Sequence, residues 1–174
     1  MLVLEALREF CDDLEDKRKD LMNDLSVRSE VWGFGGPSEV GCIKVLSEEL
    51  TDIQRVAVFK ELNDTPGNST RDDLALTGLM ESVPEEDWER VIKGKLRKVV
   101  IVLTDGDSSN KSGAKKAIRN LRDKGAIVVA IGITNAAQSA LALYAPDAHL
   151  AKTAAETGVA VGKVLETFIS ELNG

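Results

Sequence analysis

The residues best suited to chemistry stand at the end of one apolar segment. Residues 98–104 read Lys-Val-Val-Ile-Val-Leu-Thr, and Asp105 and Gly106 follow directly. A continuous run rich in Val and Ile predicts a strand buried on both faces, central in a parallel sheet. Ligands of open α/β sheets bind beyond the carboxyl ends of the strands. Because a bare carboxylate is costly to bury, we expect Asp105 to be hydrated, paired or bound to a cation.

Alternating helical and strand patterns must position this aspartate. Apolar residues recur at helical spacing in several segments, and short apolar or alternating runs separate them. These patterns predict one parallel, doubly wound α/β domain over residues 1–174, with a polar segment around Trp88 after Pro84. The predicted helices are 2–25, 52–62, 70–83, 114–121, 136–143 and 161–172, and the predicted strands are 27–34, 98–104, 126–133 and 149–153.

Composition excludes several function classes. The 174 residues are 43% hydrophobic and 29% charged, with a net charge of -7, so a general nucleic-acid-binding role is not expected. No apolar run is long enough to span a membrane, and acidic residues interrupt the N-terminus where a signal peptide needs an apolar run. Cys11 and Cys42 are far apart, which favours neither a disulfide framework nor a zinc site. A cytoplasmic setting is the expectation.

Several segments in order resemble a known family, the von Willebrand factor A (vWA) domain. They are the predicted helix 2–25, the strand ending at Phe34, the loop and helix 67–76, the strand ending in Thr104-Asp105-Gly106, the strand 126–131 and the closing helix. The resemblance covers nearly the whole chain. It implies a three-layer, Rossmann-like, mostly parallel sheet flanked by helices, with a metal-ion-dependent adhesion site (MIDAS) at the carboxyl ends of the strands.

The resemblance also implies which residues form that site. Asp105 matches the aspartate of the family's third loop, and Thr70 matches the threonine of its second loop. Mg²⁺ or Mn²⁺ is the implied cofactor, since hard divalent cations prefer oxygen ligands and retain several waters. Further residues expected to support this site are Asp72, Asp107 and Ser108.

One part of the family pattern is absent from this sequence. The opening Asp-x-Ser-x-Ser, which ends the family's first strand, does not occur before the predicted helix 2–25. We therefore expect a domain that is truncated at its N-terminus and lacks its first strand, with Met1 an internal methionine of a longer reading frame. Metal affinity then depends on an incomplete ligand set.

Each site residue also has a purely structural alternative. Asp-Gly is common turn chemistry, so Asp105 can simply shape a turn. Thr70 can cap a helix, and Asp72 can complement the dipole of a helix N-terminus. Ser108 suits an ordinary loop position.

The function that these residues predict is a non-catalytic protein-interaction domain. A Mg²⁺ ion held by Asp105 and Thr70 is expected to bind an acidic residue of a protein partner, with no role for nucleic acid or membrane. A metal-free structural scaffold is one alternative. The enzyme alternative is a Mg²⁺-dependent phosphotransferase of the haloacid-dehalogenase type, which Asp105, Asp107 and Thr134-Asn135 loosely resemble. Asp105 is then the nucleophile and Asp107 the acid/base.

Overall fold

The computed structural model describes residues 26–64 and 69–172. It confirms an α/β fold, in which helices alternate with strands along most of the chain. The predicted helix 2–25 lies outside the described residues. The strands are β1 (Ser29–Gly33), β2 (Gly41–Ser47), β3 (Val99–Thr104), β4 (Ile127–Gly132) and β5 (Ala148–Leu150). The helices are α1 (Asp52–Asp64), α2 (Asp72–Ser82), α3 (Glu85–Ile92), α4 (Lys111–Asp123), the 3₁₀ turn Asn135–Ala137, α5 (Gln138–Tyr144) and α6 (Ala154–Leu172).

The main sheet is parallel and contains β3, β4 and β5 in that order. Its middle strand is β4, in which every residue from Val128 to Gly132 is buried. Within the described residues, β3 pairs only with β4, so the expectation that β3 is central and buried on both faces is wrong for this part of the chain. Val100 and Val102 are buried, whereas Ile101 and Leu103 on the opposite face are partly covered. Val100 and Val102 pack in one apolar cluster, and Ile101 and Leu103 pack partly against a second cluster on the other face.

The strands β1 and β2 form a separate antiparallel pair. Lys44 of β2 is 1% exposed, and its Nζ donates to the Ser29 carbonyl at 2.6 Å and to the Ser47 hydroxyl at 2.9 Å. Burial lowers the pKa of Lys44, and these acceptors compensate for the water that its ammonium loses. An ion pair between Glu30 and Lys98 connects β1 to the segment entering β3. The pair β1–β2 is thereby held beside the main sheet.

Helices cover both faces of the main sheet. The larger apolar cluster joins α2, α3, α4 and α5 to one face, and a smaller cluster joins Val161 of α6 to Ile131 and Ala151 on the other. Trp88 is 1% exposed and lies in the larger cluster, where α3 replaces the polar segment that we expected after Pro84. The helix forms because Trp88 and Val91, three residues apart, turn toward the core while charged residues face water.

The connections that frame the carboxyl ends of the strands have defined ends. Asn110 caps α4, and its side chain accepts from the backbone N–H of Gly113 at 3.1 Å. Gly125 follows α4 with a φ of +86°, a conformation that glycine adopts without steric cost. Within the described residues, none of the helices has the length and apolar content needed to cross a membrane.

Candidate functional site

The candidate site lies at the carboxyl ends of β3 and β4, which we call the carboxyl edge. The two strand ends are joined, because the N–H of Ile133 donates to the Thr104 carbonyl at 2.8 Å. Beyond them, the Thr134 hydroxyl donates to the carbonyl of Asp105 at 2.9 Å. The Thr104 hydroxyl closes the turn by donating to the Gly106 carbonyl at 2.9 Å. The backbone of Asp105 is therefore fixed while its side chain remains exposed.

Thr70 lies on the loop directly beside this one. Two hydrogen bonds to Ser109 join the loops: the Ser109 N–H donates to the Thr70 carbonyl at 2.9 Å, and the Thr70 N–H donates to the Ser109 hydroxyl oxygen at 2.8 Å. The N–H of Arg71 donates to the Gly35 carbonyl at 3.0 Å, which brings in the loop after β1 as well. Three loops thus meet at the carboxyl edge, and the loops that carry Thr70 and Asp105 are neighbours.

Asp72 is the buried centre of this region. Asp72 is 3% exposed, and its carboxylate accepts three hydrogen bonds. The Ser108 hydroxyl donates to Oδ1 at 2.5 Å, the Tyr144 hydroxyl donates to Oδ2 at 2.6 Å, and the N–H of Asp73 donates to Oδ1 at 3.0 Å. Burial and the charge of Asp72 raise the pKa of Tyr144, so that hydroxyl stays protonated and acts as a donor. Asp72 and Ser108 therefore bind each other, and their role here is to join loops.

Asp73 is paired within the same region. Arg71 donates two hydrogen bonds to its carboxylate, from Nε at 2.7 Å and from Nη2 at 2.9 Å. The Asn110 side chain donates a third, to Oδ2, at 2.8 Å. The hydrogen bonds from Arg71 hold the pKa of Asp73 below its ordinary value. The hydrogen bond from Asn110 to Asp73 ties the start of α2 to the start of α4. This carboxylate, like that of Asp72, serves the scaffold.

Asp107 is exposed, but its carboxylate is engaged. It accepts a hydrogen bond from Ser139 and one from Lys111 Nζ at 2.9 Å. These bonds, that of Ser139 first, lower the pKa of Asp107, so the group is a carboxylate at neutral pH. Ser139 and Lys111 therefore tie the loop that carries Asp107 to α5 and to α4.

Asp105 and Thr70 differ from these neighbours. In residues 26–64 and 69–172, no hydrogen bond or ion pair engages the Asp105 carboxylate or the Thr70 hydroxyl. Both offer free oxygens, the donor type that Mg²⁺ and Mn²⁺ prefer. The described residues contain no group of three or more His, Cys, Asp or Glu side chains that could hold a metal ion. The donors present therefore fit a hydrated cation that uses few protein ligands.

Sequence reasoning missed the residues that connect these loops. Neither Ser109 nor Tyr144 was predicted as a site residue, yet both form hydrogen bonds that hold the site together. Asn110 had a usable signal, because a cap residue is expected directly before a helical pattern. Tyr144 had none, since it lies 72 residues from Asp72.

Comparison with known proteins gives a family match. The family model described as von Willebrand factor type A domain matches residues 43–173. No curated protein matches the chain. Among solved structures, manganese-loaded TRAP protein from Plasmodium vivax is similar at 20% identity with a TM-score of 0.45. That match covers 68% of this chain, and the chain spans 45% of the solved structure's length.

Proposed function

Because the chain belongs to the von Willebrand factor type A domain family, whose members are generally protein-interaction modules without catalytic activity, we propose that it binds a protein partner through the carboxyl edge. The observation that supports this location is the free carboxylate of Asp105. Of the four aspartates in the loops and helix starts at the carboxyl edge, Asp72, Asp73 and Asp107 are engaged by other side chains, and Asp105 has no partner within the described residues.

We further propose that the carboxyl edge binds a Mg²⁺ or Mn²⁺ ion. Asp105 supplies a carboxylate oxygen and Thr70 a hydroxyl oxygen, and the bonds of Ser109 keep their loops adjacent. When bound, the ion supplies a Lewis-acidic position that accepts a carboxylate of the partner. The hydrogen bonds between the loops orient the two donors. The neighbouring carboxylates do not compete for the ion, because they already accept hydrogen bonds within the protein. The alternative is that the same edge binds a partner without a metal ion, and removal of metal by a chelator distinguishes the two.

The test is thermal unfolding of the full chain with and without Mg²⁺ or Mn²⁺. A ligand that binds the folded state stabilises it by mass action, by about 2.7 kcal/mol at 100-fold excess over Kd. For a domain of this size that corresponds to a rise in Tm of about 5–10 °C. Asp105→Ala is expected to abolish the rise, and Thr70→Ala to reduce it.

The matched control is Asp123→Ala, which removes an exposed carboxylate at the far end of α4. This variant is expected to keep the full rise in Tm. An equal metal-induced rise in wild type and Asp105→Ala, or none in wild type, contradicts the metal site. A partner that binds wild type equally well in the presence of a chelator supports the metal-free alternative.

A further inference from the structure

The outward face of α4 carries four cations that the proposed metal site does not use. Lys111, Lys115, Lys116 and Arg119 are all exposed, and we call them the α4 basic stripe. The opposite face of α4 is apolar and buried through Ala114, Ala117, Ile118 and Leu121, which fixes the direction in which the cations point. Residues 111, 115 and 119 are four apart, so they form one row along the helix.

The α4 basic stripe is short of internal partners. Lys111 pairs with Asp107, whereas Lys115, Lys116 and Arg119 have no ion pair with any residue of the part of the chain that the structure describes. They remain unpaired in that part of the chain although carboxylates outnumber cations in the whole sequence, which has 29 Asp and Glu against 22 Lys and Arg. At the far end of the helix, Asp123 is exposed and Lys124 pairs with Glu85, so the stripe ends there.

The stripe begins at the carboxyl edge. Lys111 starts α4 directly after the loop 105–110, and its Nζ binds Asp107 of that loop at 2.9 Å. The row from Lys111 to Arg119 extends about 12 Å at the helical rise per residue. An extended peptide covers that length with about four residues. The proposed metal position and the α4 basic stripe therefore lie end to end, in reach of one short segment.

We infer that the α4 basic stripe binds the acidic continuation of the segment whose carboxylate reaches the carboxyl edge. The partner is a protein segment with one carboxylate for the proposed ion and further Asp or Glu residues within the next four or five. This inference rests on the proposed function for its first contact. An acidic peptide fits better than a nucleic acid or an anionic membrane, because the net charge of -7 repels large polyanions while three cations in one row, with Lys116 beside them, suit a short segment.

The experiment measures binding of fluorescein-labelled decaglutamate by fluorescence anisotropy, at low and at physiological ionic strength, with Mn²⁺ or with chelator. The test variant is Lys115→Glu/Arg119→Glu. The matched control is Lys95→Glu/Arg97→Glu, which changes the net charge equally at exposed positions before β3, at the other end of that strand. Far-UV circular dichroism and thermal melts verify that both variants fold.

We expect the test variant to bind at least about tenfold more weakly in low salt, because each reversal replaces an attraction by a repulsion. The control is expected to change binding by less than about threefold, and the affinity of wild type is expected to fall with added salt. Equal weakening of both double variants, or no binding of decaglutamate to wild type, overturns the inference. Tighter binding of a heparin oligosaccharide or of phosphatidylserine vesicles, with the same dependence on the stripe, overturns the choice of a protein partner.

Asp105→Ala separates this inference from the proposed function. It is expected to lose the gain in affinity that Mn²⁺ gives and to retain binding that depends on Lys115 and Arg119. If Mn²⁺ has no effect on wild type while the charge reversals still weaken binding, the metal proposal fails and the α4 basic stripe stands. If Mn²⁺ strengthens binding and the two double variants behave alike, the metal proposal stands and the stripe fails.

Discussion

The bond between Tyr144 and Asp72 permits a sharp test of how the carboxyl edge is held together. Tyr144→Phe removes one oxygen and leaves the ring, which is fully buried in the larger apolar cluster. The phenol donates to Asp72 Oδ2 at 2.6 Å, whereas Ser108 and the N–H of Asp73 both donate to Oδ1. The substitution therefore leaves Oδ2 without a donor from the described residues.

The expected loss follows from the charge and burial of the acceptor. A hydrogen bond to a charged group contributes about 1.5–3 kcal/mol, more than one between neutral groups. The residue Asp72 is 3% exposed, so water has little access to replace the lost donor. For a domain of this size, a loss of about 2 kcal/mol lowers the Tm by about 4–8 °C. No cavity term is added, because the ring of Tyr144 stays in place.

The assay is urea unfolding of wild type, Tyr144→Phe, Asp72→Asn and the double variant. The free energies of unfolding form a double-mutant cycle, and we expect a coupling energy of at least about 1 kcal/mol between the two residues. Ser139→Ala is the matched control: it removes a hydroxyl that also binds an aspartate, but an exposed one, so its effect should stay within about 0.5 kcal/mol. A loss below about 0.5 kcal/mol in Tyr144→Phe, or zero coupling, refutes the reasoning.

Two further predictions concern two glycines and the response to acid. Gly125→Ala should lower the free energy of unfolding by about 1–2 kcal/mol because Gly125 has a φ of +86°. Gly158→Ala in α6, where a Cβ meets nothing within 4 Å, should raise that free energy by about 0.5–1 kcal/mol. Equal effects of the two substitutions in chemical unfolding contradict this prediction. The pKa of Asp73 is held below its ordinary value of 3.8, so its pairing with Arg71 stabilises the fold above the unfolded pKa and is lost as pH falls through the folded pKa. Stability measured from about pH 5 to pH 2 should therefore fall less steeply in Arg71→Met than in wild type, and identical slopes oppose the assignment.

The parallel strands could be predicted because their apolar runs are continuous. Residues 98–104 and 126–133 contain β3 and β4 with an error of about one residue at each end, and Gly125 marks the end of the helix between them. Burial on both faces removes the polar alternation, and that signal is local to the strand. Which strand is central depends on pairing with distant segments, and so the central position of β3 was predicted wrongly for the described chain.

The missed elements β2 and α3 have a common cause. Lys44 interrupts the apolar pattern of β2, and its burial depends on carbonyl acceptors from β1 and from the end of β2. In α3 the polar residues outnumber the apolar ones, and the helix is held by Trp88 and Val91 against the core. Tertiary contacts override local composition in both segments, and a local pattern contains no record of them.

The two proposed metal ligands could be predicted because each belongs to a short loop motif of the sequence. Thr70 and Asp105 were placed on separate loops by their positions before a helix and after a strand, and the structure brings those loops together through Ser109. Their roles as metal ligands remain a proposal. Asp72 was predicted as a supporting residue of the metal site, with the helix dipole as the structural alternative. Its bond to Tyr144 arises only from the packing of α5 against the region, which no spacing rule reveals.

The pairing of carboxylates at the carboxyl edge has a consequence for how binding must behave. With Asp72, Asp73 and Asp107 engaged by other side chains, Asp105 is the one aspartate at the carboxyl edge, among the described residues, that is left for the proposed ion, and the ion's other positions are filled by water or a partner. Such an ion binds weakly alone and more tightly once a partner carboxylate joins it. Linkage requires the effect to be reciprocal, so the factor by which Mn²⁺ raises the affinity for an acidic peptide must equal the factor by which the peptide raises the affinity for Mn²⁺. A factor of one in both titrations shows that metal and peptide do not share this site.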